Sequence, residues 1–251
     1  MLIAQRKQII LDRLSSQGQI AVTALSLEWG ISEDTVRRDL RDLAEEGLVQ
    51  RVHGGALPKS VALRDYHRRE SISTDVKIRL GKVAAGLIRS GQVVAMDGGT
   101  SNLQIVRALP NDLKCTIVTH SPIIAYELRD HPGIEILLIG GKIFKHSQVA
   151  VGTETTEAIG RLRTDLFFLG ATGLHPDTGV TTGDWEEAAV KRIFCRGAAE
   201  TILLVSPEKL GAAAPYQIIP SKELSGIVVD DSIKEESLSP FRNMGIEVYK
   251  G

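Results

Sequence analysis

In the first stretch of the chain apolar residues fall at helical spacing. Ile3, Ile10 and Leu14, with Ile9 and Leu11 beside them, sit between charged positions, and Gly18 closes the segment. Ile20 to Val22 is a short β-prone piece, after which Thr23 stands where it can cap a second short helix that carries Leu25, Leu27 and Trp29 and ends at Gly30. Ser32 then occupies an N-cap position. Glu33 and Asp34 put negative charge in the first turn, where the helix dipole favours it, and Val36, Leu40 and Leu43 form one stripe at i, i+4 and i+7. This third helix stops near Gly47. Leu48 to Val52 alternate apolar and polar residues as a strand does, and His53-Gly54-Gly55 reads as a turn, so the pair predicts a β-wing. Residues 1–57 thus form an α+β winged helix-turn-helix domain, with the helix-turn-helix at about residues 20–39.

Residues 58–75 are polar and charged, with Arg64, Asp65, His67, Arg68, Arg69 and Glu70 crowded together, which suits a linker or an exposed connecting helix. From residue 76 to residue 251 the pattern changes. Helical stretches alternate with short β-branched runs at Val93 to Met96, Thr116 to Thr119, Ile134 to Ile139, Leu166 to Leu169, Thr201 to Val205, Ile227 to Val229 and Ile246 to Tyr249. Continuous apolar strands between helices predict an α/β, Rossmann-like domain with a mostly parallel sheet buried on both faces.

Composition narrows the picture by exclusion. With 43% hydrophobic and 24% charged residues the 251-residue chain is globular. No apolar run is long enough to cross a bilayer, and the opening MLIAQRKQIILDRL mixes charge into its apolar positions, so a cytoplasmic protein without membrane association is expected. Cys115 and Cys195 lie far apart without metal-ligand spacing, so reduced thiols and no metal are expected. Net charge is −1, and in residues 1–60 the eight basic residues are matched by eight acidic ones. Any contact with nucleic acid must therefore rest on where particular arginines point.

With Val36, Leu40 and Leu43 facing inward, Thr35, Arg37, Arg38 and Arg41 fall on other faces, and Ser32, Thr35 and Arg38 lie near the N-terminal end that a recognition helix inserts into the major groove. Arginine can pair with guanine edges or clamp phosphates, and the hydroxyls can reach phosphate oxygens. The competing reading is a solvated helix face, its arginines balanced by Asp34, Asp39 and Asp42. In the second domain, the strand Val93 to Met96 runs through Asp97, Gly98 and Gly99 into Thr100 and Ser101, a turn that presents N–H groups and a helix dipole to an anion. Such glycines also serve any tight strand-to-helix turn. GxGxxG and the P-loop lysine are absent, which disfavours a dinucleotide or ATP. Thr119-His120-Ser121, Gly140-Gly141 and Gly170 to Gly173 follow other strands and would face the same crevice. Lys209 is either a point charge for a phosphate there or an ordinary surface lysine, and Glu187 with Lys191 form either part of the site or an i,i+4 ion pair.

The run ISEDTVRRDLRDLAEEGLVQRVHGGAL, residues 31–57, resembles the signature of DeoR-family transcriptional regulators. That resemblance implies contacts to double-stranded operator DNA from Ser32, Thr35, Arg37, Arg38, Arg51 and His53, with Asp39 as an orienting partner. It extends through DGGTS, THS, Gly140-Gly141, Val151-Gly152, GVTTGDWEEAAVKR and PEKLG to the family's sensor domain, which is similar to ribose-5-phosphate isomerase. It implies a repressor of a sugar operon, without a cofactor or catalytic residues. The implied effector is a sugar phosphate held at Asp97, Gly99, Thr100 and Ser101, with Thr119, Lys191 and Lys209 completing the site. Departures are Ser206-Pro207-Glu208-Lys209, where the family has an aspartate before a serine-lysine pair, His120 for asparagine and Ser101 for threonine. An isomerase-like enzyme is the main rival, yet Leu169 to Gly173 lacks the acidic residues of the isomerases' DGADE loop. A winged-helix protein-interaction module is the second rival. One winged helix makes a small interface, so a homo-oligomer, dimer or tetramer, is expected at the operator, in the cytoplasm on the nucleoid.

Overall fold

The computed structural model describes residues 2–17, 19–58 and 65–251. Gly18, expected to close the first helix, and Lys59 to Arg64, expected to begin the linker, lie outside the described residues. The head comprises α1 (Ile3–Gln17), β1 (Ile20–Ala21), α2 (Val22–Trp29), α3 (Glu33–Glu45), β2 (Val49–Val52) and β3 (Gly55–Pro58). Ser32 caps α3 as expected, its Oγ accepting from the Thr35 N–H at 3.2 Å. Gly30 ends α2 at φ 63°, its N–H donating to the Ser26 carbonyl. Thr23 is not the cap of α2. That helix starts one residue earlier, at Val22, whose N–H donates to the Gly54 carbonyl of the wing turn at 2.8 Å. Backbone pairing replaces side-chain capping because β1 joins the wing, in the strand order β1-β3-β2. Val36, Leu40 and Leu43 pack on Ile10, Leu14 and Leu25, whereas Leu27 is 84% exposed.

The second domain begins with α4 (Tyr66–Glu70) and α5 (Thr74–Ala85), then β4 (Val93–Met96), α6 (Thr100–Arg107), β5 (Cys115–Thr119), α7 (Pro122–Leu128) and β6 (Ile134–Leu138). A hairpin of β7 (Lys142–Phe144) and β8 (Val149–Val151) leads to α8 (Thr153–Gly160), β9 (Thr164–Leu169), β10 (Gly173–His175) and β11 (Gly179–Thr182). The chain closes with α9 (Trp185–Gly197), β12 (Ala198–Val205), β13 (Tyr216–Ile219), β14 (Gly226–Val229), α10 (Glu235–Asn243) and β15 (Glu247–Lys250). Seven strands form one wholly parallel sheet in the order β15-β14-β12-β9-β4-β5-β6. All seven were anticipated by the apolar runs. Alternate residues of each inner strand feed two separate cores: Phe168 and Leu204 pack with α5 and α6, while Phe167 and Leu203 pack with α9 and α10.

Three features depart from the sequence reading. The antiparallel hairpin of β7 and β8 and the small sheet β10-β11-β13 were not anticipated, because their strands are only three or four residues long and carry too little periodicity to stand out. β6 is an edge strand rather than a doubly covered one, and Leu137 and Leu138 are 42% and 47% exposed. Finally, the charged segment read as a linker or an exposed connecting helix does contain a helix, α4, but its Tyr66 is buried and its backbone is bonded to the second domain. Both cysteines are free, Cys115 buried and Cys195 half-buried.

Candidate DNA-reading surface and effector cavity

In the head, the local charge balance resolves into pairs. Asp39 is buried and accepts from both arms of Arg6 on α1, at 2.6 and 2.9 Å. Lys7 pairs with Asp42 at 3.3 Å and Glu46 at 2.9 Å, and Arg13 pairs with Glu28 on α2. The acids of α3 thus fasten that helix to α1. Asp39 and Asp42, turned toward α1, do not neutralise the outer arginines of α3. Arg37 is paired within its own helix, to Glu33 at 2.5 Å and Asp34 at 3.3 Å. Arg38, Arg41 and Arg51 are exposed and form no ion pair among the described residues. Arg38 and Arg41, three apart, share one helix face. Arg37, Arg51 and His53 border a single groove between α3 and the wing. Arg41 was absent from the anticipated contact set, since its freedom follows from pairing between helices. The Ser32 and Thr35 hydroxyls bond each other at 2.9 Å at the exposed start of α3.

In the second domain, β4 lies between β5 and β9, and the order of strands reverses there: β5 and β6 follow to one side, β9, β12, β14 and β15 to the other. A crevice opens at such a switch point, beyond the carboxyl ends of the strands. It holds a cavity of about 160 Å³ walled by the turn after β4, the turn after β9, the first turn of α9 and the Lys209 loop. Gly99 sits at φ 121°, a conformation that side-chain-bearing residues rarely adopt, and turns the chain into α6. Gly170 passes so close that a Cβ would meet the Gly98 carbonyl at 2.7 Å, which lets the two turns abut.

Asp97 is wholly buried beneath this floor. It accepts from the Gly170 N–H at 2.8 Å, from Lys191 at 3.1 Å and from His120 Nε2 at 2.8 Å. Burial opposes its ionisation, but Lys191 and His120 outweigh that and hold the carboxyl down at about 2. Lys191 directs its three N–H groups to Asp97, to Glu187 at 3.2 Å and to the Gly170 carbonyl at 2.8 Å. Glu187 also accepts from Thr182 at 3.0 Å.

This geometry divides the anticipated effector residues. Gly99, Thr100, Ser101, Lys191 and Lys209 line the cavity, but Asp97 and Thr119 do not. Asp97 is turned under the floor by its three donors, and Thr119 Oγ1 accepts the Ser121 N–H at 3.1 Å inside the loop after β5. Lys191 reaches the wall with its donors already engaged, so the ion-pair reading of Glu187 and Lys191 describes it. Lys209 differs. Its Nζ donates to Ser101 Oγ at 3.1 Å and the Leu204 carbonyl at 3.3 Å, and burial brings its pKa down to about 7. Sequence reasoning missed Arg69 and Lys77, which line the same cavity. Lys77 is lowered to about 8 by burial, and Arg69 is lowered too. Their signal in the sequence, two cations in a charged stretch, is indistinguishable from solvated charge.

A winged helix with unpaired arginines, joined to an α/β domain with a cation-rich cavity, defines a ligand-responsive DNA-binding regulator. Residues 6–60 match the DeoR-like helix-turn-helix domain, and residues 72–231 match the DeoR C-terminal sensor domain. The chain belongs to the DeoR family of transcriptional regulators. It is 32% identical to the HTH-type transcriptional regulator GlpR of Haloferax volcanii, covering 100% of this chain and 99% of that protein. It is 30% identical to a putative aga operon transcriptional repressor of Escherichia coli O157:H7, covering 98% and 93% respectively. The glycerol-3-phosphate regulon repressor of Escherichia coli K12 is 31% identical over 84% of each chain. These relatives are named as regulators, and the chain is one, not an enzyme. Among solved structures, ribose 5-phosphate isomerase A from Methanocaldococcus jannaschii is similar at 18% identity and a TM-score of 0.41, over 54% of each chain.

Proposed function

We propose that the protein is a repressor of a carbohydrate operon whose grip on operator DNA is set by a phosphorylated sugar bound in the second domain. The observation that carries the reading is the charge inside the cavity. Arg69, Lys77 and Lys209 line it together; burial lowers the pKa of Lys209, and the charges of Lys77 and Arg69 lower it further, with Glu208 as the opposing acid. An enclosed cluster of like charges gains most from an anion. The N-terminus of α6, with the N–H groups after Gly99 and the hydroxyls of Thr100 and Ser101, offers the matching donors. Asp184 and Glu187 on the same wall are acceptors suited to sugar hydroxyls. The phosphate-named regulon of one relative points the same way.

On the DNA side, Ser32, Thr35, Arg38, Arg51 and His53 are the contacts we assign, with Arg41 added and Arg37 relegated to a partner that must leave Glu33 to reach DNA. Copies assemble so that two heads engage one operator, and the site of action is the nucleoid in the cytoplasm. No helix among the described residues is long and apolar enough to cross a membrane.

The test is thermal unfolding of the full chain with a panel of sugar phosphates beside the unphosphorylated sugars, followed by operator binding with each ligand that registers. A ligand at a hundredfold excess over its Kd raises Tm by about 5–10 °C. Lys209→Met removes that rise and brings the ratio of operator affinities with and without ligand to one. Equal response to phosphorylated and free sugars contradicts the proposal.

A further inference from the structure

The chain enters the second domain along the effector cavity instead of past it. Asp65 caps α4 by accepting the Arg68 N–H at 3.0 Å, and the Tyr66 N–H donates to the His146 carbonyl at 2.9 Å, in the turn between β7 and β8. At the other end Ser73 Oγ donates to Glu208, beside Lys209, at 2.8 Å. That contact accompanies a left-handed Ser73 at φ 50° and takes the hydroxyl away from capping α5. Between these anchors Lys77 Nζ donates to the Arg69 carbonyl at 2.6 Å. The connecting segment is therefore bonded to the hairpin turn, to α5 and to the Lys209 loop, all of which line the cavity.

Within this strap the Arg69 side chain is the exception. It lines the cavity, yet its buried Nε has no hydrogen-bond acceptor, and one terminal nitrogen reaches Ser147 Oγ only at 3.5 Å. That distance is the outer limit of a hydrogen bond. No carboxylate pairs with Arg69 among the described residues, although its neighbours Arg68 and Arg79 are both paired. A guanidinium offers five donors in a fork that matches a phosphate or carboxylate. Leaving the buried Nε–H of that fork unmet inside a wall is costly unless an anion arrives.

We propose that Arg69 binds the anionic group of the effector from the linker side, so that occupancy of the cavity fixes α4 and thereby the path on which the chain leaves for the DNA head. The inference rests on the sugar-phosphate reading above and adds the element through which binding is felt. A ligand shifts an equilibrium only by contacts it makes in one state and not the other. A contact carried on the strap is of that kind, because it exists only when the strap is seated. Lys209 and the turn after β4 belong to the body of the domain and lack this property.

The experiment is hydrogen–deuterium exchange on the full chain, wild type and Arg69→Met, with ribose 5-phosphate, glucose 6-phosphate, glycerol 3-phosphate and inorganic phosphate as probes. In the wild type a bound probe slows exchange both at residues 98–101 and at residues 65–73. In Arg69→Met the probe binds roughly ten- to a hundredfold more weakly. At saturation it still protects 98–101, leaves 65–73 unchanged and no longer alters operator affinity. Arg69→Lys, which keeps the charge without the fork, recovers part of the affinity. Protection at 98–101 without any change at 65–73 in the wild type overturns the inference and leaves the sugar-phosphate reading intact. So does a strap in Arg69→Met that responds as the wild type does. Absence of protection in both segments with every probe overturns both.

Discussion

Lys191, which the sequence offers either as an effector contact or as the i,i+4 partner of Glu187, carries a further role in three dimensions. The i,i+4 spacing to Glu187 is legible in any sequence, but the buried Asp97 that claims a second donor comes from a distant strand end. Removing the lysine leaves Asp97 inside the protein with only His120 Nε2 and the Gly170 N–H beside it, and Lys191→Met is expected to cost about 3–5 kcal/mol in urea unfolding. Asp97 itself sets an acid limit. Its pKa is near 2 in the folded state against an ordinary 3.8, so its contribution is complete above 3.8 and disappears as pH falls through 2. Lys209 behaves oppositely. Its folded pKa of about 7 lies below the ordinary 10.5, so the unfolded chain holds the extra proton between those values and this group makes the protein more stable as pH rises from about 7 to 10.5. An anion reverses that penalty by favouring the charged amine. Ligand affinity should therefore fall as pH rises above about 7, which titration calorimetry at pH 6.5 and 9 would measure; an affinity that rises over that interval contradicts the assignment of Lys209.

At the level of elements, the sheet was legible because its strands are apolar on successive residues, a pattern that only two covered faces explain, as Phe167 and Phe168 in opposite cores illustrate. The hairpin of β7 and β8 was not, since three-residue strands carry too little periodicity to separate from a loop. α3 lies between these cases. Its buried stripe and its Ser32 cap follow from spacing, while the choice of which arginines remain free follows from Arg6 and Lys7, contributed by α1. Electrostatics then distinguishes the arginines. Arg38→Ala should weaken operator binding and, if Arg38 holds a phosphate, reduce the slope of log affinity against log salt by about 0.9. If it reads a base, discrimination at one position falls by about 1–3 kcal/mol with the slope unchanged. Loss of neither affinity nor discrimination sinks the assignment. Asp39→Ala acts differently, by leaving Arg6 half-buried without its carboxylate, and should lower the unfolding midpoint of the head while the second domain keeps its own.

For the whole molecule, the neutral head and the edge of the sheet bear on assembly together. A single winged helix buries roughly 600–1,000 Å² on DNA, at the low end for specific recognition, and with three unpaired arginines this head has few phosphate contacts to add. Two linked heads multiply affinity through effective concentration without any new contact. For the assembly proposed above we assign the β6 edge as the linking surface. Leu137 and Leu138 are exposed there, Tyr126 is 66% exposed on α7, which packs beside that strand, and the outer backbone of β6 has no partner strand among the described residues. An apolar open edge of that kind is a liability unless another surface covers it. Leu138→Arg, a change at an already exposed position, should leave the unfolding midpoint of the separated chain within about 0.5 kcal/mol of wild type. Sedimentation velocity should show it shifted toward the monomer, and affinity for an operator with two half-sites should fall toward that for one half-site. A variant that stays assembled, or a monomer that keeps the full two-site affinity, would place the contact between copies elsewhere on the domain.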